Sequence, residues 1–401
     1  MFNGLTRHQK LVLIIAWLGW VFDVMEASLF ALTKQPMLTE MLGSEQYKAI
    51  GPQIESRIHV AMLLGWSLGG LVFGIVADRW GRSRTLILTI FLYCLFTGIT
   101  SLCQTPEQVQ VARFLTGLGI GGEWAAGAAL IAETVPNDWR ARAAAFLQTA
   151  AAIGSIVGVF VNLSIGGLNW RFVYVAGIVP AILCLVARYK LEPDTPATLT
   201  KIGGTLQKGM PWRNLAIAAT LGVIGITGGG LLPFWLPNLI NEVVDKGDQV
   251  YWKNISMIVL HLGTLAGVLI FPPLTDRYGR RPMFAVFGCC AAAMLFITAN
   301  FGTHIASILI LAPITSFFAL GLTAGFGLYF PELFPKAFRA TGSGVAYNLS
   351  RILSAPVPLW IGMMAQENGP AAAIGVAASI YVIMMVALIF APETRGGVLE
   401  E

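Results

Sequence analysis

The chain has 401 residues, of which 56% are hydrophobic and 12% are charged. A soluble domain carries roughly 25% charged residues, and the mean hydropathy of this chain is +0.71. These values exclude a soluble enzyme, a nucleic-acid-binding protein and a disordered chain, so the net charge of +5 has to be interpreted in a membrane.

Apolar stretches of membrane-spanning length recur along the chain from Leu11 to Ala391. Each is long enough to cross a hydrocarbon layer of about 30 Å. Backbone in lipid has to satisfy its own hydrogen bonds, which favours helices over isolated strands. The stretches predict an all-α integral membrane fold with twelve transmembrane helices, at 10–33, 58–77, 85–104, 107–132, 140–166, 170–190, 213–241, 253–275, 283–301, 304–331, 338–365 and 370–391.

Basic residues are distributed unevenly between the predicted loops. If both termini are cytoplasmic, eighteen of the 26 lysines and arginines fall on the cytoplasmic side and six fall on the opposite side. Cytoplasmic loops of membrane proteins are enriched in these two residue types. The sequence therefore predicts a multi-pass protein of the cell membrane (inner or plasma membrane), with cytoplasmic termini and the lipid bilayer as its partner.

A motif in the first half of the chain recurs in the second half. Asp78-Arg79-Trp80-Gly81-Arg82 is matched by Asp276-Arg277-Tyr278-Gly279-Arg280 at an offset of 198 residues. At an offset of 199, Glu332 and Arg339 repeat Glu133 and Arg140. Such long-range self-similarity indicates an internal duplication.

The duplication predicts the organisation of the whole chain. We expect two pseudo-symmetric six-helix bundles, 1–191 and 213–401, joined by a polar cytoplasmic linker at 192–212. Parallel halves of this kind place a substrate site near the middle of the bilayer, between the halves.

The two D-R-x-G-R segments resemble the cytoplasmic loop signature of the major facilitator superfamily. In that family the loop stabilises the outward-facing state through charged contacts between helix ends, which break during alternation. The alternative is that the arginines only anchor the cytoplasmic face. The resemblance implies conformational roles for Asp78, Arg79, Gly81, Arg82, Asp276, Arg277, Gly279, Arg280, Glu133, Arg140, Glu332 and Arg339.

Further segments resemble particular branches of that superfamily. Glu192-Pro193-Asp194-Thr195-Pro196 and Pro392-Glu393-Thr394-Arg395-Gly396 resemble sugar-porter signatures, although helix seven lacks the paired glutamines of sugar porters. Three other segments, 19–23, 113–124 and 347–351, resemble metabolite:proton symporters, which include sialate and monocarboxylate carriers. The resemblance implies a transporter.

Ionisable residues inside the spans are costly to bury and are therefore candidates for function. Asp23 and Glu26 are three residues apart on helix one, so both can lie on one side of it. In related porters a helix-one carboxylate pairs with a helix-four arginine, which here implies Asp23 with Arg113. Asp23, Glu26 and Arg113 either couple protons or form a static salt bridge. Glu123 is either a second proton site or a structural partner.

Arg351 lies deep in predicted helix eleven. A planar guanidinium stays charged and binds a carboxylate through two hydrogen bonds. We therefore expect Arg351, assisted by Asn348, Tyr347 and Gln148, to bind the carboxylate of an anionic substrate. The alternative is a buried pairing of Arg351 with a glutamate, either Glu26 or Glu123.

Glycine and proline cluster in two of the predicted spans. Gly228–Gly230 followed by Pro233 and Pro237 predicts an interrupted helix seven, because proline removes a backbone donor and glycine lowers the cost of bending. An outer gate that includes Gly229 and Pro233 is one interpretation, and an ordinary proline kink is the other. The glycines of helix four predict close helix packing, and they are Gly117, Gly119, Gly121 and Gly122.

The leading functional prediction is a proton-coupled secondary active transporter of a small organic anion, such as a monocarboxylate or a sugar acid. We expect it to work by alternating access, as a monomer, without a cofactor or a metal. A proton antiporter that exports organic cations is an alternative, favoured by three acidic residues, Asp23, Glu26 and Glu123. A non-transporting sensor on the same scaffold is another. An enzyme is not predicted, because the sequence has no phosphate loop, nucleophile motif or metal-ligand cluster.

Overall fold

The computed structural model describes residues 5–134, 140–178, 211–335 and 339–395. Within these ranges the regular structure is entirely helical, which confirms the predicted class for this part of the chain. Eight helical stretches of the described part are long and apolar enough to cross a membrane, and a shorter apolar stretch covers Arg84–Thr100. The count of twelve helices stays a prediction. The chain divides into two compact units, Met1–Thr200 and Lys201–Glu401.

The described helices of the first unit are α1 (Arg7–Leu42), α2 (Ser44–Trp80), α3 (Arg82–Thr100), α4 (Pro106–Thr134), α5 (Arg140–Val161) and α6 (170–178). Thr6 begins α1 with a capping box, in which its hydroxyl accepts from the backbone N–H of Gln9. Helix α4 packs against both α2 and α3, and α5 packs against α1. The centre of this unit therefore lies among α1, α2 and α4.

Helices α1 and α2 run past the predicted spans 10–33 and 58–77. They are joined at Gly43, whose φ of 81° is a conformation that glycine adopts without a steric penalty. The segment expected to be an outer loop is therefore helical. Lys34 and Glu55, two charged residues of this segment, are buried. Because they pair with each other, their charges do not indicate an exposed loop.

Glycines allow α2 and α4 to touch along their backbones. A Cβ atom on Gly65 would lie 2.0 Å from the carbonyl oxygen of Phe114, and one on Gly121 would lie 1.9 Å from that of Trp66. Real Cβ atoms are not found so close to another atom, so only glycine fits at these positions. The packing role predicted for the helix-four glycines is confirmed.

The described elements of the second unit are α7 (Trp212–Val243), α8 (Gln249–Tyr278), α9 (Arg280–Phe301), α10 (Ile305–Ala319), a 3-10 segment (Gly321–Gly325), α11 (Phe326–Glu332), α12 (Arg339–Ser354) and α13 (Pro356–Phe390). Helix α13 turns sharply at Gly369, which has a φ of 81° and is followed by Pro370. This turn coincides with the predicted boundary between 338–365 and 370–391.

The predicted interruption of helix seven is wrong, because α7 is one continuous helix with Pro233 and Pro237 inside it. Packing explains two of the three glycines instead, whereas nothing lies within 4 Å of a Cβ added to Gly230. A Cβ on Gly228 would lie 2.5 Å from the ring of Tyr381, and one on Gly229 would lie 2.9 Å from the side chain of Leu320. The gating role of Gly229 and Pro233 stays a prediction.

Aromatic side chains fill the middle of the second unit. The ring of Phe271 on α8 lies 5.1 Å from that of Phe284 and 4.8 Å from that of Phe287, both on α9, measured between centroids. Phe284 also stacks on Phe326 at 6.0 Å. Such ring pairs stabilise a core beyond their buried area, so these rings help to hold α8, α9 and α11 together.

Candidate functional site

A buried ion pair joins α1 to α4 in the first unit. One terminal nitrogen of Arg113 donates to Oε1 of Glu26, and the hydroxyl of Thr97 donates to the same oxygen at 3.1 Å. The other terminal nitrogen of Arg113 lies 2.9 Å from the sulfur of Met62 on α2. Arg113 is 0% exposed and Glu26 is 1% exposed. Because neither charge reaches water, each depends on the other for compensation.

Aromatic rings surround the guanidinium of Arg113. Its central carbon lies 5.3 Å from the ring centroid of Phe30 and 6.0 Å from that of Tyr174. The hydroxyl of Tyr174 in turn lies 3.1 Å from the hydroxyl of Thr33. Cations are attracted to such ring faces, so the arginine is held by rings and by one carboxylate.

The predicted pairing of Asp23 with Arg113 is wrong in its choice of carboxylate. The carboxylate that pairs with Arg113 is Glu26, three residues further along α1. Residues three apart are displaced by about 4.5 Å along a helix axis, and the height of α4 against α1 selects the later one. Asp23 is also buried in α1, and Glu123 is buried on α4, ten residues after Arg113. Their roles in proton coupling stay predictions.

A second buried ion pair escaped the sequence analysis. Nζ of Lys34 on α1 lies 2.8 Å from Oε2 of Glu55 on α2, and these side chains are 1% and 0% exposed. The hydroxyl of Tyr47 donates to Oε1 of Glu55 at 2.5 Å. The signal available in the sequence was the spacing Glu26, Phe30, Lys34, which places all three along one side of a helix that continues past residue 33.

The predicted anion-binding residues of the second unit come together on α12. The guanidinium carbon of Arg351, which is 6% exposed, lies 4.5 Å from the ring centroid of Tyr347. The side-chain amide of Asn348 donates to the carbonyl of Gly344 at 3.0 Å. Within the part of the chain that the structure describes, the amide oxygen of Asn348 is buried and has no hydrogen-bond partner. Gln148 lies on α5 of the first unit, and its role stays a prediction.

The repeated loop motif makes a network of contacts at one end of the second unit. Gly279 has a φ of 102°, and Gly81 in the first unit has a φ of 99°, a backbone conformation that glycine adopts without a steric penalty. Arg280 donates to Glu332 at 3.0 and 2.8 Å and to Asp276 at 2.8 Å. The arginine therefore ties the ends of α8 and α11 together.

The segment after α13 docks on this network. The carboxylate of Glu393 accepts from the backbone N–H groups of Arg280 at 2.9 Å and Arg281 at 3.0 Å, at the N-terminus of α9. Partial burial acts to raise the pKa of Glu393, but these backbone donors, together with that of Arg395, hold the pKa below its ordinary value. The hydroxyl of Tyr329 donates to the carbonyl of Pro392 at 2.5 Å. The sugar-porter-like segment is thus bound to the start of α9 and to α11.

Several residues of the motifs cannot be placed in this network. The guanidinium of Arg277 lies 5.3 Å from the ring centroid of Tyr278. Among the described residues, no group of three or more histidine, cysteine or acidic side chains could hold a metal ion. The motif side chains that lie outside the described part are those of Asp78, Arg79, Arg82, Glu133, Arg140 and Arg339. Their conformational roles stay predictions.

Comparison with known proteins identifies the family. The Major Facilitator Superfamily family model matches residues 16–358. A probable 4-methylmuconolactone transporter of Cupriavidus pinatubonensis is 29% identical over 98% of this chain and 92% of its own length. The sialic acid transporter NanX of Escherichia coli is 26% identical over 87% of this chain and 86% of its own length.

A solved structure shows the same fold. The crystal structure of a D-xylose-proton symporter matches with a TM-score of 0.79 and 17% sequence identity, over 97% of this chain and 99% of that chain. The protein described here is therefore a multi-pass membrane transporter of small metabolites, not an enzyme, and it belongs to the Major Facilitator Superfamily.

Proposed function

We propose that this transporter couples proton entry to the uptake of a small organic anion by alternating access. The observation that carries the proposal is the buried pair of Glu26 and Arg113. A carboxylate inside a membrane span is expensive to keep, and a packed apolar pair would hold α1 against α4 equally well. A role in taking up and releasing a proton explains why the chain keeps a carboxylate in this span.

Protonation of Glu26 would change the energy of this part of the first unit. The neutral acid no longer compensates the charge of Arg113, which stays protonated under all working conditions. A conformation that gives Arg113 another partner then gains in population, because any differential interaction shifts an equilibrium between two states. Asp23 and Glu123 are further candidates for proton sites.

The anion-binding part of the proposal depends on Arg351. Its guanidinium can bind a carboxylate through two parallel hydrogen bonds, and the ring of Tyr347 orients its plane. The unpaired amide oxygen of Asn348 can accept from a hydroxyl group of the same substrate. The name of the relative that carries sialic acid supports an acidic substrate. Gln148 is the fourth proposed contact.

The remaining parts of the proposal concern the setting of the protein. Both termini lie in the cytoplasm, the protein resides in the cell membrane as a monomer, and the network around Arg280 and Glu332 is on the cytoplasmic side. The excess of basic residues in the predicted cytoplasmic loops supports this orientation. In this orientation the network closes the inner ends of the helices in one state and opens in the other.

Uptake by proteoliposomes with an imposed pH gradient tests the proposal. With acid outside, we expect accumulation of at least one member of a panel of monocarboxylates and sugar acids, and loss of this accumulation when a protonophore is added. Glu26→Gln is expected to keep substrate exchange and lose pH-driven accumulation. Arg351→Ala is expected to lose both for anions. Glu45→Gln, in an exposed pair with Lys48, serves as the control.

Two results would contradict the proposal. One is anion uptake that is independent of the pH gradient. The other is retained anion uptake by Arg351→Ala. Export of organic cations driven by external acid would instead favour the antiport alternative, which the burial of three acidic side chains, Asp23, Glu26 and Glu123, also supports.

A further inference from the structure

We infer that the buried pair of Lys34 and Glu55, together with His59, forms the outer part of a proton path that leads to Glu26. The inference rests on the proposed proton coupling and adds a route to it. The first observation is the pair itself. Its two charges lie 2.8 Å apart and both side chains are almost completely buried. The hydroxyl of Tyr47 gives Glu55 a further partner at 2.5 Å.

The register of α2 connects this pair with Arg113 and Glu26. Glu55, His59 and Met62 follow one another at spacings of four and three residues, so they lie on one face of the helix. Glu55 contacts Lys34 at one end of this row, and Met62 contacts Arg113 at the other. His59 stands between the two contacts, and the charges of both Lys34 and Arg113 act on its ring.

The register of α1 gives the same order. Glu26 and Lys34 are eight residues apart, which corresponds to about 12 Å along the helix axis. With cytoplasmic termini, Lys34 is on the outer side of Glu26. The titratable and charged side chains along this row are Asp23, Glu26 and Lys34 on α1, Tyr47, Glu55 and His59 on α2, Tyr93 on α3, Arg113 on α4 and Tyr174 on α6.

A purely structural role does not explain this choice of residues. Replacing a buried ion pair with apolar side chains of similar volume is often neutral or stabilising, and the surrounding lipid is apolar. The chain nevertheless keeps two ion pairs at successive heights on α1, one with α4 and one with α2, and the imidazole of His59 lies between them in the register of α2. Groups that exchange protons in sequence are what such a row provides.

The transfer can be written with its protons balanced. A proton from the outer solution adds to Glu55 and forms an O–H bond, which leaves the ammonium of Lys34 uncompensated. The ammonium loses one proton to a ring nitrogen of neutral His59, and the ring releases its other proton to the carboxylate of Glu26, because an imidazole can accept at one nitrogen and donate from the other. The proton on Glu55 then moves to the amine of Lys34, and the ion pair is restored. One proton has moved inward to Glu26.

The double variant Lys34→Met/Glu55→Gln tests the path, because it removes both charges and keeps the side-chain volumes close to the originals. We expect pH-driven accumulation to fall by about 100-fold or more, since a positioned proton-transferring group contributes roughly 10²- to 10⁴-fold, while proton-independent substrate exchange stays unchanged. The matched control is Lys48→Met/Glu45→Gln, which neutralises an exposed pair on α2 and should alter neither activity.

A second pair of variants covers the case in which the double variant does not fold. Glu55→Asp keeps a titratable carboxyl group and should retain pH-driven accumulation. His59→Gln keeps a polar side chain but cannot relay a proton, and it should lose pH-driven accumulation while substrate exchange continues. Proton entry on addition of substrate, followed with a pH-sensitive dye inside the vesicles, should change in parallel.

The outcomes separate this inference from the proposed function. If the wild type shows no dependence on the pH gradient, the proposed proton coupling fails. If the wild type is driven by the gradient and the double variant is driven equally well, only the proton path is overturned. If a folded double variant loses exchange and accumulation together, or if His59→Gln accumulates substrate like the wild type, the role of these residues is structural and the inference is also overturned.

Discussion

The two units of this chain share one way of joining their helices and differ in what fills their interiors. In the first unit a Cβ on Gly65 would lie 2.0 Å from the carbonyl oxygen of Phe114. In the second unit, 198 residues later, a Cβ on Gly263 would lie 2.1 Å from that of Pro313. The glycine contact between neighbouring helices is therefore part of the scaffold that both copies of the repeat keep.

The buried charges are not part of that scaffold. The first unit buries two ion pairs, Glu26 with Arg113 and Lys34 with Glu55. At an offset of 199, the position of Arg113 is taken in the second unit by Ala312, which is completely buried. Because one copy of the repeat packs without an arginine at this position, the charge is not a requirement of the scaffold that both copies share.

Removing one member of a buried pair should have the largest effect. Arg113→Leu leaves the carboxylate of Glu26 buried without its counter-charge, and such losses destabilise a protein by about 3–5 kcal/mol. Thermal unfolding in detergent should show the loss. The double variant Glu26→Gln/Arg113→Leu should recover most of the stability without recovering pH-driven transport. An Arg113→Leu protein as stable as the wild type would contradict the view that the pair depends on mutual compensation.

Adding a methyl group to the shared glycine contact should have an intermediate effect in both units. Gly69 and Gly267 are equivalent in the repeat, and a Cβ on either would lie within about 2.3 Å of a backbone oxygen of the neighbouring helix. Overpacking of this kind costs about 1–3 kcal/mol, measured as a lower midpoint of thermal unfolding. Gly74→Ala is the control, since nothing lies within 4 Å of its added Cβ. If alanine were tolerated in only one unit, the glycine contact would not be a requirement that both units share.

Loosening the docked segment after α13 should have the smallest effect. Glu393→Gln weakens hydrogen bonds to the backbone of α9, but Glu393 is only partly buried and lies mostly at the surface, so we expect a change of less than about 1 kcal/mol. Because the pKa of Glu393 is lowered from 4.5, docking is stabilised above that pH and this contribution is lost as the pH falls through the lower, folded-state pKa. Hydrogen exchange at the amides of Arg280 and Arg281 reports it.

The control for the docked segment is Glu367→Gln, on the exposed side of α13. That variant should leave exchange at both amides unchanged at every pH. If the protection of the Arg280 and Arg281 amides against exchange depended neither on pH nor on the Glu393→Gln change, the carboxylate would not hold the segment.

The helical membrane class, the repeat and the set of candidate charges can be read from the amino-acid sequence alone. These properties follow from composition and from the spacing of residues along the chain. Neither depends on which residues are neighbours in space. Asp23, Glu26 and Arg113 stood out because charge is scarce in apolar runs, and Gly81 and Gly279 stood out because they belong to the repeated D-R-x-G-R motif.

Which of these groups contact one another becomes visible only in the folded chain. It paired Arg113 with Glu26 instead of Asp23, it placed Lys34 against Glu55 inside the first unit, and it kept α7 continuous through its prolines. The physical reason is the same in each case. The height and rotation of one helix against another select a partner, and these depend on packing between segments far apart in the chain.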